Sequence, residues 1–129
     1  MRVLIFDPFH GAAGDMVTGA LLDCGADREA VLRAMAAVAA EPLISTVTRA
    51  GIRAVKVDTK ASPAHRTLAD VLKRLDAAEP HVPAPALAMA RRVFERINAA
   101  EEAVHGAHAH FHEVGADDAI ADIVGACMA

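Results

Sequence analysis

Histidines and carboxylates are concentrated in one segment near the end of the chain. It contains His105, His108, His110 and His112, followed by Glu113, Asp117 and Asp118. Imidazole nitrogens with carboxylate oxygens suit nickel, zinc, cobalt or ferrous iron, and the order of affinities does not choose among these metals. The segment therefore predicts a metal site, with a run of solvent-exposed histidines at a strand edge as the alternative.

The metal interpretation requires an extended backbone over residues 108–112. Side chains alternate along a strand, so His108, His110 and His112 would share one face while Phe111 would anchor the opposite face. In a helix, residues two apart point about 200° apart and could not bind the same ion. We therefore expect a short extended segment here.

The second chemistry-bearing segment is the loop at residues 7–15, DPFHGAAGD, between a predicted strand and a predicted helix. Ligands of open α/β sheets bind beyond the carboxyl ends of strands, and glycines let backbone N–H groups approach a phosphate or carboxylate. The loop matches neither a Walker motif nor GxGxxG. It is either a ligand cradle or a tight turn in which Asp15 caps the helix and Asp7 binds loop amides.

A third segment contains His65 and Arg66 just before a predicted helix. Arginine is a fork-shaped donor for phosphate and carboxylate, so the pair could bind an anion, although an exposed loop pair is the simpler interpretation. No Ser-His-Asp order or reactive Cys-His pair stands out, which disfavours nucleophilic catalysis.

The pattern of the chain predicts the elements that position these segments. Residues 3–6 form a continuous apolar run typical of a buried strand. Residues 43–59 are rich in β-branched side chains around Arg49, Ala50 and Gly51, which predicts a hairpin with a short glycine-containing turn. Helical spacing predicts about five helices, with Asp27 and the Thr67/Asp70 pair as caps. The expected fold class is α/β, with α+β as the alternative, and consists of a small mixed sheet including the hairpin, packed with these helices.

Length and composition restrict the class of protein. A chain of 129 residues with 54% hydrophobic residues forms one domain with an adequate core, and its apolar runs are too short for a membrane helix. We expect no membrane partner and a cytoplasmic location. The net charge of −4, without a basic run, disfavours nucleic acid as a partner. Cys24 and Cys127 lie on predicted apolar helix faces and are expected to be reduced core residues.

Three stretches together resemble one protein family. They are DPFHGAAGDMVTGALLDCG at residues 7–25, HRTLADV at 65–71, and VHG at 104–106 followed by HFHEVGADDAIADIVG at 110–125. In this order they are similar to the N-terminal part of the LarC-like nickel insertion proteins. The resemblance implies that residues 1–129 are one domain corresponding to the N-terminal domain of that family, and that the family's C-terminal CTP-binding domain is absent from this chain.

The resemblance implies a CTP-dependent nickel chelatase of the lyase class. It would insert Ni²⁺ into pyridinium-3,5-bisthiocarboxylic acid mononucleotide and so make the nickel-pincer nucleotide cofactor of lactate racemase. CTP, with Mg²⁺ or Mn²⁺, is expected at the missing C-terminal domain, which is itself an expected partner. Self-association is a further expectation.

The family's motif positions also imply roles for individual residues. His110 and His112 are the expected nickel ligands, and Asp15 and Glu113 are the expected catalytic residues beside them. The expected substrate-binding residues are Asp7, Gly11, Gly14, His65 and Arg66. Asp117 and Asp122 match the motif without an assigned role. The alternative function is a nickel-binding or partner-recruiting module without catalysis, and a third interpretation is an oligomerisation domain with accidental histidines.

Overall fold

The computed structural model describes residues 1, 3–9, 11–60, 62, 64–106, 111 and 115–129. This part of the chain forms five helices and one two-stranded antiparallel sheet, which confirms a mixed α/β class with a hairpin and about five helices. In chain order the elements are α1 (Gly14–Asp23), α2 (Arg28–Ala36), β1 (Leu43–Arg49), β2 (Ile52–Asp58), α3 (Leu68–Ala77), α4 (Ala84–His105) and α5 (Asp117–Met128).

Two helices begin at the caps that the sequence predicts. The Asp27 side chain accepts a hydrogen bond from the backbone N–H of Ala30 at 3.1 Å, ahead of α2. Ahead of α3, the Thr67 hydroxyl accepts from the backbone N–H of Asp70 at 3.2 Å, while Asp70 accepts from the backbone N–H of Thr67 at 3.0 Å. This reciprocal capping box satisfies two N–H groups that the helix leaves without internal partners.

The hairpin has the predicted strands and turn. Its register runs from Leu43 opposite Asp58 to Arg49 opposite Ile52, which leaves two residues in the turn. Ala50 and Gly51 both have positive φ, 49° and 80°. Positive φ at both central residues is characteristic of the type I′ turn, which matches the twist of a hairpin, and glycine adopts positive φ without strain.

The core lies between the helices, and α5 is its central element. Helix α5 packs against α1, α2 and α4, and α1 also covers β2. Its contact with β2 is close, because a Cβ atom on Gly19 would lie 2.5 Å from the carbonyl oxygen of Val55. The largest fully buried side chains are Phe94, Phe111, Met35, Leu75 and Ile120.

The prediction of a buried strand at residues 3–6 is wrong for this structure. These residues form no strand, and Val3, Leu4, Ile5 and Phe6 are all exposed. The two strands of the hairpin pair with each other, and among the described residues nothing covers the run. An apolar run indicates a need for burial but does not supply the element that buries it.

The cysteine prediction is half right. Both thiols are free, but Cys24 is exposed just after α1, whereas Cys127 packs partly against the core. Cys24 is exposed because it lies on a side of α1 that no described element covers. Within the described ranges, no helix is long and apolar enough to span a membrane.

Candidate functional site

The first two turns of α5 contact both of the other candidate segments. They contain Asp117, Asp118 and Asp122. Asp117 pairs with an arginine of the 65–71 segment, and Asp122 lies beside the start of α1, which follows the 7–15 loop. The N-terminal half of α5 is therefore the structural centre of the candidate site.

Asp117 is held between two arginines. Its Oδ1 lies 2.7 Å from Nη2 of Arg66 and 2.7 Å from Nη1 of Arg74. The side chains of Arg66 and Asp117 are only 18% and 17% exposed, so this pair is largely removed from water. A carboxylate in the first turn also interacts favourably with the helix dipole. Removing either partner of such a pair leaves an uncompensated charge, which is costly.

Arg66 also contacts Phe111 and Gly115. Its carbonyl oxygen accepts a hydrogen bond from the backbone N–H of Phe111 at 3.1 Å, in an isolated antiparallel bridge. Its guanidinium donates to the carbonyl oxygen of Gly115. Gly115 has no room for a side chain, since a Cβ there would lie 2.9 Å from the Phe111 carbonyl oxygen and 3.1 Å from the Arg66 nitrogen. Residues 111 and 115 are thus fixed to the same arginine.

Phe111 has the buried position expected of an anchor. It is 1% exposed, and its ring centroid lies 6.3 Å from that of Phe94 in α4, with the rings tilted by 45°. Tilted aromatic pairs at this separation are a favourable arrangement. The predicted anchoring role of Phe111 is therefore consistent with its burial.

Asp122 lies against the first turns of α1. A Cβ on Gly14 would meet the Cβ of Asp122 at 2.7 Å, so glycine allows the two helices to approach here. The Thr18 hydroxyl donates to the Asp122 carbonyl oxygen at 3.5 Å, and the Thr59 hydroxyl donates to Oδ1 at 3.3 Å. These contacts place Asp122 of α5 against the first turns of α1 and against the residue that follows β2.

The environment of Asp122 raises the pKa of its carboxyl to about 6. Burial is the main cause, the negative charge of Asp15 is the next, and Asp118 adds to it, while the hydrogen bond from Thr59 lowers the pKa. A carboxyl with this pKa exchanges a proton near neutral pH, which is the property required of a general acid or base.

The 7–15 loop borders a small cavity at the start of α1. Gly11, with φ of +86°, donates its N–H to the carbonyl oxygen of Pro8 at 2.9 Å. Helix α1 begins without a side-chain cap, and Asp15, in its first turn, accepts from the backbone N–H of Met16 at 2.8 Å. The cavity has a volume of about 160 Å³ and is lined by Phe6, Asp7, Pro8, Gly11, Ala12, Met16, Val17 and Ala20. Asp7 and Gly11 therefore share one hollow.

Some of the predicted site residues lie outside the described residues, and others do not contact the rest of the candidate site. His108, His110, His112 and Glu113 lie outside the described residues. His65 is exposed next to Arg66. His105 belongs to the end of α4, where its Nε2 lies 3.6 Å from a Glu101 carboxylate oxygen. Within the described ranges, no three His, Cys, Asp or Glu side chains are grouped to hold a metal ion.

Sequence reasoning missed Thr59 and Arg74. Arg74 lies in the last turn of α3 and Thr59 just after β2, and their contacts with Asp117 and Asp122 cross 43 and 63 residues. An arginine on a charged helix face and a threonine after a strand are ordinary surface residues in sequence. No local signal distinguishes them.

Comparison with known proteins identifies one family. A family model described as nickel insertion protein matches residues 4–129. A relative from Methanococcoides burtonii is 40% identical over 100% of this chain and 34% of its own length. Relatives from Geotalea daltonii and Methanothermobacter thermautotrophicus are 39% and 40% identical over 99% and 98% of this chain, and over 35% and 34% of their own lengths. All three carry nickel insertion in their names.

The chain spans about a third of the length of these relatives and matches their N-terminal part. No solved structure matches it. The match extends across all five helices and the hairpin, and includes the three candidate segments. The chain therefore belongs to the nickel insertion protein family.

Proposed function

We propose that this chain supplies the nickel and substrate site for insertion of Ni²⁺ into pyridinium-3,5-bisthiocarboxylic acid mononucleotide, in the cytoplasm, as part of a CTP-dependent chelatase of the lyase class. The product would be the nickel-pincer nucleotide cofactor of lactate racemase. The supporting observation is the convergence of the three motif segments on the first turns of α5, in a chain whose family inserts nickel.

Nickel is the metal substrate in this proposal, and His110 and His112 are its ligands. In sequence they flank Phe111, whose backbone N–H is hydrogen-bonded to Arg66 and whose side chain is buried. Mixed imidazole and carboxylate ligands bind nickel without the closed cage of thiolates that would hinder its release. The site can therefore hold the ion and transfer it.

The mononucleotide would bind near the start of α1 and the 65–66 pair. Asp7 and Gly11 line the cavity of the first loop, and Gly14 begins a helix whose N-cap residue, Ala13, makes no side-chain hydrogen bond. The positive end of a helix dipole is suited to a phosphate. His65 and Arg66 would contribute from the second segment. Two of the five N–H donors of Arg66 already bind Gly115 and Asp117, so Arg66 would meet the phosphate only through the others.

Insertion breaks one C–H bond of the pyridinium ring and forms one nickel–carbon and two nickel–sulfur bonds. The carbon keeps the electron pair of the broken bond, so a proton must leave to a base. Asp15 and Glu113 are the proposed catalytic carboxylates for this chemistry. Asp15 lies beside Asp122, and its negative charge helps to raise the pKa of the Asp122 carboxyl. CTP and its Mg²⁺ or Mn²⁺ would act in the part of the family polypeptide beyond the third that is matched here.

Calorimetric titration of Ni²⁺ tests the metal site. The His110→Ala, His112→Ala double variant should bind Ni²⁺ about tenfold more weakly or worse, because imidazole supplies the strongest proposed ligands. His81→Ala is the matched control, since His81 is an exposed histidine in the turn before α4. Equal affinity of the double variant and the control would refute the nickel site.

A coupled assay tests the chemistry. The chain would be incubated with Ni²⁺, CTP, Mg²⁺, the sulfur-containing mononucleotide and the C-terminal domain of the family, and the product would be measured by activation of apo lactate racemase. Activation should require this chain. If the C-terminal domain alone gives the same activation, the enzymatic role is refuted.

A second candidate function is a nickel-binding or partner-recruiting module without catalysis. The observation in its favour is the exposed apolar run at residues 3–6, a surface suited to contact with a partner. Nickel binding in the titration without any contribution in the coupled assay would support this function.

A further inference from the structure

The first sixteen residues expose a group of large apolar side chains, which we call the N-terminal apolar surface. It consists of Val3, Leu4, Ile5, Phe6, Phe9 and Met16, each more than half exposed. Contiguous exposed apolar surface at this density is uncommon on a folded domain and indicates a contact with another element.

Helix α1 continues this surface. In its sequence, GDMVTGALLD, Met16, Val17, Ala20 and Leu21 lie on one apolar side of the helix. One side packs against β2 and α5, whereas Met16, Ala20 and Cys24 are exposed on another. The cavity next to Phe6 and a second hollow lined by Ala54 and Val55 both border Met16 and Ala20. The open side of α1 and the N-terminal apolar surface thus form one continuous area.

Residues 3–6 have the composition of an internal strand. All four side chains are apolar, so burial on one face alone would leave the other face in water. Continuous apolar runs of this kind are typical of parallel strands covered on both faces. In the described part of the chain these residues have no strand partner, and their backbone N–H and C=O groups are available to form a ladder with another strand.

We propose that the N-terminal apolar surface is the docking site for the remaining two thirds of the family polypeptide, which adds a strand to residues 3–6 and covers the open side of α1. The relatives contain that additional polypeptide in the same chain, at about twice the length of the part matched here. Pairing with a second copy of this chain explains less, because a strand from a two-fold partner would supply ladder hydrogen bonds at the edge but no element to cover the two apolar faces of residues 3–6. This inference does not depend on the nickel chemistry.

Amide hydrogen exchange on two proteins tests the proposal. In this 129-residue chain, the amides of residues 3–6 should exchange at nearly the rate of an unstructured peptide, because no described residue covers them. In the full-length relative from Methanococcoides burtonii, the aligned amides should exchange at least about 100-fold more slowly, at every protein concentration. Equally fast exchange in both proteins would overturn the proposal. Protection that disappears on dilution would overturn it as well, in favour of a second copy.

A substitution gives an independent measurement. Ile5→Lys should leave the melting temperature of this chain within about 1 °C, since Ile5 is 82% exposed. Lysine at the aligned position of the relative should lower its melting temperature by about 3 °C or more. Ile52→Lys is the matched control, because Ile52 is a similarly exposed apolar residue at the far end of the hairpin turn. Equal effects of the Ile5 substitution in the two proteins would contradict the docking site.

Discussion

Replacing Asp122 by asparagine should stabilise the protein at neutral pH. The pKa of this carboxyl is raised from 3.8 to about 6, mainly by burial and then by the charge of Asp15, with Asp118 adding to it. Folding therefore favours the protonated form, and ionisation of Asp122 destabilises the folded state. Asparagine keeps an oxygen that can accept the hydrogen bond from Thr59, so the substitution removes the charge with little change in shape.

The magnitude follows from the two pKa values. A rise in the pKa of Asp122 from 3.8 to about 6 corresponds to a loss of about 3 kcal/mol in unfolding free energy at a pH where the carboxyl is ionised in both the folded and the unfolded state. Asp122 is only partly buried, and solvent screening reduces this value, so we expect about 1.5 kcal/mol at pH 7.5. Below pH 3.8 both states are protonated and the gain disappears. It grows as the pH rises from 3.8 to about 6 and is constant above that.

Urea denaturation of the metal-free protein measures this gain. Asp122→Asn should raise the unfolding free energy by about 1.5 kcal/mol at pH 7.5 and by about a third of that at pH 4.5. Glu41→Gln removes the same charge from an exposed position and serves as the control, with an expected change within about 0.5 kcal/mol at both pH values.

Two results would refute the reasoning. A loss of stability at pH 7.5 would mean that the ionised carboxyl is favourable in the folded state. A gain at pH 4.5 equal to that at pH 7.5 would mean that the substitution acts through packing and not through the charge.

Three further predictions concern stability, each measured by urea denaturation. Gly19→Ala should destabilise the protein by about 1 to 3 kcal/mol, although alanine has the better helix propensity, because the added Cβ would lie 2.5 Å from the Val55 carbonyl oxygen. A stabilised variant would show that α1 does not pack this closely against β2. Arg66→Ala should lower the unfolding free energy by about 3 kcal/mol. Arg74→Ala should lower it less, because Arg74 is 34% exposed and its loss leaves the pair of Arg66 and Asp117 in place. Equal losses would contradict the dominant role of Arg66. Thr67→Ala should cost about 1 kcal/mol by removing the capping box, and no measurable loss would show that the box does not stabilise α3.

The elements that sequence predicts well are those specified by neighbours in the chain. The Thr67/Asp70 capping box spans three residues, and the hairpin turn consists of Ala50 and Gly51 between two β-branched runs. In each case the physical cause is a side chain or a backbone preference within one turn of the element itself. The burial of Phe111 also follows from its being the one large apolar residue among histidines.

Other features depend on contacts between distant parts of the chain. The raised pKa of Asp122 arises because α1 and the end of β2 enclose it, and the double ion pair of Asp117 arises because α3 and the 65–66 segment approach α5. The resemblance to the family marks both Asp15 and Asp122 as motif positions, but it does not indicate that the two residues lie beside each other. Their separation in sequence carries no information on this contact.

Residues 3–6 show most clearly the difference between what sequence predicts and what tertiary contacts decide. The sequence by itself determined that these four side chains are apolar and require burial, and it determined the caps, the hairpin and the helical spacing. Only the tertiary structure decided that α1 covers β2 and that residues 3–6 are left exposed. The physical reason is that hydrophobic burial depends on area removed from water, and the element that removes it can come from any part of the chain or from another chain.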